Sequence, residues 1–322
     1  QETIGLPLRR PQDYRNDSRR LLEWLSRRWL YNIPRSLQTE GLRPLGRLAF
    51  VDHAAEILSR MRDAIQRATA EEAIEASNES TGLEFQSRAC RVVLVGSISG
   101  GTGSGMIIDL AYAARHLLGE VGLPDHDVCG IMTHSTGRNA RSRELAIVNA
   151  YSTLRELNHY GRLGSTYPGD RAIGIPPRRD DNAAFHDAYL VHLGDDLNET
   201  QLDEAAKEVA EYIYLDAATP ASPFFRACRD GETRNADSRN SELRVRTFGV
   251  QQFSCLSEDV LSVVGEHLGR YAVDRWITGS KMAEGRLNLR HTGCAVRETN
   301  VRQSTTSFSS LEPAAEQFAA QL

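Results

Sequence analysis

Lysine is nearly absent from this chain. Lys207 and Lys281 are the only two, although lysine and arginine together number 38 in 322 residues. The phosphate loop G-x-x-x-x-G-K-[ST] needs a lysine directly after its glycines, and neither lysine stands there. The shortage therefore excludes a lysine-containing phosphate loop. At any phosphate site here, charge would have to be met by backbone dipoles, arginine or Mg²⁺.

Other absences narrow the function classes further. The five cysteines are scattered, with no C-x-x-C pair, so we expect no zinc site, no disulfide framework and a reduced, cytoplasmic protein. No apolar run reaches the roughly 20 residues of a membrane span, so membrane insertion is not expected. The formal net charge of −5 gives no general reason to expect nucleic-acid binding.

What the chain does contain is a short apolar run followed by a glycine-rich stretch. Val92–Val95 is unbroken, β-branched and apolar, which is typical of a strand covered on both faces. The stretch Ser99–Gly105 reads SGGTGSG, and Met106–Leu118 has helical apolar spacing. A glycine loop at a helix start offers free N–H groups and a positive dipole end, which together favour a bound phosphate.

Two other interpretations of the glycine stretch are weighed against phosphate binding. The dinucleotide pattern G-x-G-x-x-G fails, because Met106 and Ile108 stand where its third glycine would be required. A simple tight turn from strand to helix would explain some of the glycines. Four glycines interleaved with Thr102 and Ser104 exceed what a turn needs, so the hydroxyls are predicted to meet phosphate oxygens or Mg²⁺-bound water.

Two further apolar runs predict a parallel sheet. Val128–Thr133 and Ala188–Leu193 read as strands separated from the first by helical segments, the pattern of β-α-β units. Ligands on such sheets lie beyond the carboxyl ends of the strands. The loop after the second strand brings Arg138 and Arg141 to that edge as candidate phosphate ligands, with exposed surface arginines as the other interpretation.

Upstream of the sheet we expect a polar N-terminal arm with a helix over Arg20–Tyr31. We expect a loop over Thr39–Arg47, because it carries two glycines and a proline. Asp52 is then the predicted N-cap of a helix running to about Ala76.

Downstream, Asn198 can cap a long helix that reaches about Leu215, either as a simple cap or as a ligand of a nucleotide base. Asp216 follows as a candidate catalytic acid, with a structural helix-end carboxylate as the other interpretation. Residues 217–240 are predicted as a loop. A strand over Leu243–Cys255, a helix over Leu256–Ile277 and a partly ordered tail complete the expected order.

The stretch Ser99–Gly105 resembles the phosphate-loop signature of the tubulin superfamily and matches every position of [SAG]-G-G-T-G-[SA]-G. The order of elements over about residues 39–277 also resembles tubulin and its bacterial homologue FtsZ, above all the divergent bacterial tubulin-like group. The resemblance implies an α/β fold with a parallel sheet flanked by helices, a long central helix and a smaller α+β domain. The corresponding segments are an N-terminal arm at 1–38, a nucleotide-binding domain at 39–197, a central helix at 198–216 and a smaller domain at 217–322.

The resemblance also implies a function. It implies GTP or GDP as ligand with Mg²⁺, head-to-tail self-association into filaments, and hydrolysis aided by an acidic residue such as Asp216. The residues that it places against the nucleotide are Ser99, Gly100, Gly101, Thr102, Gly103, Ser104, Gly105, Arg138, Arg141 and Asn198.

The chain departs from the family pattern at two places. Residues 1–38 contain no second glycine-rich loop, and the stretch Ala217–Phe225 contains no acidic residue. These departures keep a second hypothesis open, a non-polymerising scaffold or regulatory module that binds a protein partner and hydrolyses GTP poorly or not at all.

Overall fold

The structure is a computed structural model of the 322-residue chain. It describes residues 3–85, 90–123, 127–137, 139–162, 164–178, 183–233, 244–250, 266–271 and 304–307. The chain divides into two compact units, residues 1–249 with 303–322, and residues 250–302. In the second unit, residues 266–271 are helical. The elements below belong to the first unit.

The centre of the first unit is a five-stranded sheet in the order β1-β2-β3-β4-β5. Its first four strands are parallel, and β5 is antiparallel to β4. The α/β fold with a parallel sheet is therefore confirmed. The strands are β1 (Val92–Ser97), β2 (Val128–Thr136), β3 (Asp187–Asp195), β4 (Arg244–Thr247) and β5 (Ser304–Ser307).

Helices precede, connect and follow the strands. Their apolar faces form one core cluster with the sheet, including residues of α3, α5 and α6. The helices are α1 (Ser18–Leu21), α2 (Arg27–Tyr31), α3 (Arg43–Ala68), α4 (Glu71–Thr81), α5 (Gly101–Glu120), α6 (Ala140–Gly161), α7 (Glu199–Ala218) and α8 (Ser222–Thr233).

The N-terminal arm packs against α3 through a second apolar cluster, which includes Leu8, Leu21 and Leu30 of the arm and Leu45 and Leu48 of the helix. The predicted single helix over residues 20–31 is instead two short helices, α1 and α2, separated by a turn. The arm is therefore folded onto the domain.

The start of α3 differs from the prediction. The expected loop over residues 39–47 is helical from Arg43, with Pro44 in the first turn, where its missing N–H leaves no bond unmade. Asp52 is not a cap. Its side chain is buried in the middle of α3, where it accepts hydrogen bonds from Arg9 Nε at 3.0 Å and from the Tyr14 hydroxyl.

Gly46 is in the helix because another backbone passes too close for a side chain. A Cβ on Gly46 would lie within 3.0 Å of the Gly101 carbonyl group at the start of α5. A Cβ on Gly101 would lie 2.5 Å from the Leu42 nitrogen. The two helix starts therefore meet backbone to backbone, and glycine on each side makes that approach possible.

Two further segments differ from the expected order. The predicted helix to Ala76 ends at Ala68 and is followed by α4, and the predicted loop over 217–240 contains α8. Pro223 is tolerated in the first turn of α8, where no intrahelical donor is required. The strand predicted over residues 243–255 is shorter than expected, because β4 ends at Thr247 and residues 248–250 are not in a strand. The parts of that prediction and of the helix over 256–277 that lie beyond the described ranges stay predictions.

Gly46→Ala tests the backbone contact between α3 and α5. We expect the free energy of unfolding to fall by about 1–3 kcal/mol, because the added methyl group overpacks this contact. Gly119→Ala near the end of α5 is the matched control, since a Cβ there meets open space and gains up to about 1 kcal/mol of helix propensity. Urea unfolding followed by circular dichroism measures both; equal stability of the two variants would contradict the close contact.

Candidate functional site

Three helices begin at one edge of the sheet after connections of equal length. Residues 98–100 connect β1 to α5, residues 137–139 connect β2 to α6, and residues 196–198 connect β3 to α7. Because the strands are parallel, their carboxyl ends lie at the same edge. This edge therefore carries three helix amino ends, whose dipoles are suited to an anion. The ends of α6 and α7 are capped by Asn139 and Asn198, whereas α5 has no side-chain cap, so its N–H groups are the ones available.

A fourth helix start joins this edge through the loop before α3. Gly41 and Leu42 pack on Gly101, as the glycine contacts above require. Thr39 Oγ1 and Thr102 Oγ1 are 3.0 Å apart and share a hydrogen bond. The loop before α3 therefore touches the glycine stretch directly.

Asn149 of α6 connects the two loops. Its side-chain Nδ2 donates to the Gly41 oxygen at 2.8 Å and to the Ser99 oxygen at 2.9 Å, and the residue is 3% exposed. Ser99 Oγ in turn accepts from the Ser135 N–H at 2.9 Å. Sequence reasoning missed Asn149. A single amide within an apolar helical stretch was the signal that could have found it.

The glycines of the stretch have different roles. A Cβ on Gly103 would lie within 3.0 Å of the Ser97 carbonyl oxygen, and one on Gly105 within 3.0 Å of the Arg43 oxygen. Those two positions, with Gly101, are needed for packing whatever the site binds. Gly100 is different, because a Cβ there would meet open space. Gly100 and Thr102 therefore remain as the positions whose identity packing does not explain.

The two hydroxyls of the glycine stretch, those of Thr102 and Ser104, differ in exposure. Ser104 is 1% exposed, and its hydroxyl donates back to the Gly100 carbonyl oxygen. This hydroxyl is therefore already engaged in a hydrogen bond within the first turn of the helix and is not available to a ligand. Thr102 is exposed, in the first turn of α5. Thr102 is thus the hydroxyl available to a ligand.

A cavity of about 550 Å³ opens next to the glycine stretch, between the ends of β2 and β3 and the helix α6. Its walls are mostly apolar, and its polar groups come from the last residues of the two strands and the residues that follow. The lining residues are Ile98, His134, Thr136, Arg143, Ile147, Ala150, Tyr151, Leu154, Leu190, Asp195 and Asp196.

The polar side of this cavity is built by cross-strand neighbours. His134 is paired in register with His192, and Thr136 with Asp195. The Thr136 hydroxyl donates to Asp195, which with the nearby histidines lowers the pKa of that carboxyl. Burial and the neighbouring His192 lower the pKa of His134, so its ring is neutral near pH 7.

The arginines at the start of α3 face carboxylates behind the glycine stretch. Arg43 pairs with Glu156 and donates from Nε to the Ser104 oxygen at 3.0 Å. Arg47 Nε lies 3.3 Å from Asp109, whose other oxygen accepts from the Tyr167 hydroxyl at 2.6 Å. Burial raises the pKa of Asp109 despite the two arginines. Both arginines are therefore engaged by partners on α5 and α6, and these contacts hold the start of α3 against the start of α5.

The remaining predicted nucleotide ligands are placed as follows. Arg141 is exposed in the first turn of α6, and Arg138 lies outside the described residues. Asn198 is the N-cap of α7. Its side chain accepts from the Gln201 N–H at 2.9 Å, and the Gln201 side chain accepts from the Asn198 N–H at 3.0 Å. The simple capping role of Asn198 is thus observed.

Asp216 lies at the other edge of the sheet, away from the glycine stretch. It accepts two hydrogen bonds from Arg229, at 2.8 and 2.9 Å, and one from Arg91 at 3.2 Å. The cluster extends to the buried pair Asp187 and Arg246. The helix-end carboxylate is therefore held in ion pairs that join α7, α8 and the amino ends of the strands.

These features define a class: a parallel α/β protein whose glycine-rich helix start and cavity share the carboxyl edge of the sheet. Comparison with protein families narrows the class. The family model described as "Tubulin like" matches residues 1–274, and the chain belongs to this tubulin-like family. Comparison with curated proteins and with solved structures returns no match. No helix in the described ranges is both long and apolar enough to span a bilayer.

Asp216→Ala tests the structural role of this carboxylate. Removing it deletes the two hydrogen bonds that Arg229, which is 5% exposed, donates to Asp216, and breaking such a buried pair costs about 3–5 kcal/mol of unfolding free energy. Glu56→Ala is the control, because its ion pair with Arg60 on α3 is exposed on both sides and its loss costs below about 1 kcal/mol. Chemical unfolding of both variants decides; a loss for Asp216→Ala no larger than the control would overturn the structural role.

Proposed function

We propose that the carboxyl edge of the sheet binds a guanine nucleotide, with its phosphates at the start of α5. The observation that carries the proposal is the meeting of three helix amino ends beside the 550 Å³ cavity. Such ends attract anions through free N–H groups and dipoles. The tubulin-like family is generally GTP-binding, which makes GTP the ligand to test first.

The phosphates would meet backbone N–H groups at Gly100 and Gly101 and the hydroxyl of Thr102. The open space at Gly100 leaves room for a close approach of the ligand. The exposed Arg141 at the start of α6 supplies positive charge at the same edge. The cavity beside them has mainly apolar walls with a few polar groups, as pockets for small molecules usually do.

The donor set at this edge also fits Mg²⁺. Hydroxyl and carboxylate oxygens are the ligands that Mg²⁺ prefers, usually together with phosphate oxygens and water. The Thr102 hydroxyl would contact the ion or its bound water beside the phosphates. Bound there, Mg²⁺ would neutralise phosphate charge. The residues of this chain would position the phosphates and keep them against the helix start.

One finding favours a second candidate, a nucleotide-binding scaffold that hydrolyses GTP poorly. Asp216, the nearest acidic residue at the end of α7, is held by Arg91 and Arg229. A carboxylate engaged by two guanidinium groups is poorly placed to orient water at the nucleotide of a neighbouring copy. Head-to-tail assembly and hydrolysis are therefore separate proposals from binding, and a cytoplasmic location belongs with both.

Thr102→Glu is the sharpest test of nucleotide binding. A carboxylate in the first turn of a helix stabilises that helix by about 0.3–1 kcal/mol, so the variant should remain folded. The same carboxylate would repel phosphate at this position, and a repulsion of only 1.4 kcal/mol weakens binding about tenfold. We expect GTP-Mg²⁺ to raise the melting temperature of the native protein and to have little effect on Thr102→Glu.

Thr102→Gln is the matched control, because it has the size of glutamate without the charge. It should retain most of the GTP affinity measured with a fluorescent nucleotide. GTP binding by Thr102→Glu as tight as that of the native protein would exclude phosphates from the start of α5. ATP measured in parallel reports whether the cavity selects guanine.

Light scattering and sedimentation with GTP and with GDP separate the two candidates. A filament-forming protein sediments with GTP and less with GDP, because head-to-tail contacts that do not close generate filaments. Binding of GTP at micromolar affinity with no change in sedimentation would support the scaffold and contradict assembly.

A further inference from the structure

Two histidines meet at the end of the sheet in a way that nucleotide binding does not require. His134 and His192 stand opposite each other on the parallel strands β2 and β3. Their Nδ1 atoms are 3.4 Å apart, and their ring centroids are 5.6 Å apart. The two imidazoles share a hydrogen bond through these nitrogens, and an ion that replaced its proton would be bound by both rings.

That separation is the one required by a shared metal ion. Zinc lies about 2.0–2.1 Å from a histidine nitrogen, and two such nitrogens at a tetrahedral angle are about 3.3 Å apart. We propose that His134 and His192 bind one divalent transition-metal ion, with zinc as the reference ion, through their Nδ1 atoms. The described residues hold no cluster of three or more histidine, cysteine and acidic ligands, so water completes the coordination.

The surroundings of the pair fit this role. His192 Nε2 lies 3.7 Å from Asp195 Oδ1, so the ring nitrogen away from the metal faces a carboxylate. The negative charge of this carboxylate favours the Nε2–H tautomer, which leaves Nδ1 to bind the ion. The Thr136 hydroxyl donates to the same carboxylate and holds it in place. Asp195 and Thr136 are thus positioning residues for His192.

Access also agrees with a metal site. The His192 side chain is 55% exposed, so an ion and its waters can reach the pair from solvent. His134 also lines the cavity, and binding of the ion by the two rings requires no nucleotide.

Calorimetric titration of the purified chain with zinc, in the absence of nucleotide and after removal of any histidine tag, tests the proposal. We expect one zinc per chain, and at least about tenfold weaker binding in His134→Ala and in His192→Ala. His116→Ala is the matched control, because His116 lies 3.4 Å from a carboxylate, Glu120, without a facing histidine; its zinc affinity should equal that of the native protein.

Asp195→Asn separates positioning from ligation. It should weaken zinc binding by about 10-fold while zinc absorption spectroscopy still reports two imidazole ligands. No binding tighter than about 0.1 mM, equal affinity in the native protein and both histidine variants, or a spectrum with sulfur or fewer than two imidazoles would each overturn the site. Thermal melting in the absence of metal confirms that each variant is folded before it is titrated.

Discussion

The backbone contact between α3 and α5 is the constraint on which the site depends. Gly46 and Gly101 let the two helix starts approach more closely than any side chain would permit. That approach brings the loop before α3 onto the first turn of α5, where Thr39 meets Thr102. Asn149 then bonds to both loops from a third helix. The geometry of the carboxyl edge is therefore fixed mainly by close packing, and glycine has a packing role there before it has any role toward a ligand.

The two edges of the sheet are stabilised in different ways. At the carboxyl edge, helix amino ends supply partial positive charge and leave donors free. At the amino edge, three arginines are paired with three aspartates in a largely buried network: Arg91, Arg229 and Arg246 with Asp127, Asp187 and Asp216. Buried charges of this kind are retained only when each has a partner, because removing one leaves the other desolvated and unpaired. The carboxyl edge thus has groups available to a ligand, whereas the charged groups of the amino edge are engaged in structural ion pairs.

Much of the fold could be predicted from sequence, because it depends on local patterns. The apolar runs at β1, β2 and β3 and the helices between them predicted a parallel sheet, and the glycine stretch predicted the family; both are confirmed. Local reasoning failed where distant segments decide. Gly46 was predicted in a loop because glycine is common in loops. The structure shows instead that this glycine is required for the contact of α3 with α5, which the local sequence does not reveal. The partners of Asp216 lie 13 and 125 residues away in sequence, and the pairing of His134 with His192 depends on strand register. The predicted nucleotide ligands stay predictions.

The position of α3 between two apolar clusters has a further consequence. Phe50 and Ile57 belong to the core cluster shared with α5 and the sheet, whereas Leu45 and Leu48 pack with the N-terminal arm. Asp52 binds Arg9 and Tyr14 of that arm. The same helix begins at the loop that touches Thr102. Packing of the arm on α3 and formation of the loop before α3 are therefore energetically linked. A protein partner that displaced the arm would loosen this loop at the carboxyl edge of the sheet. By reciprocity, a ligand at that edge would hold the arm more tightly against such a partner.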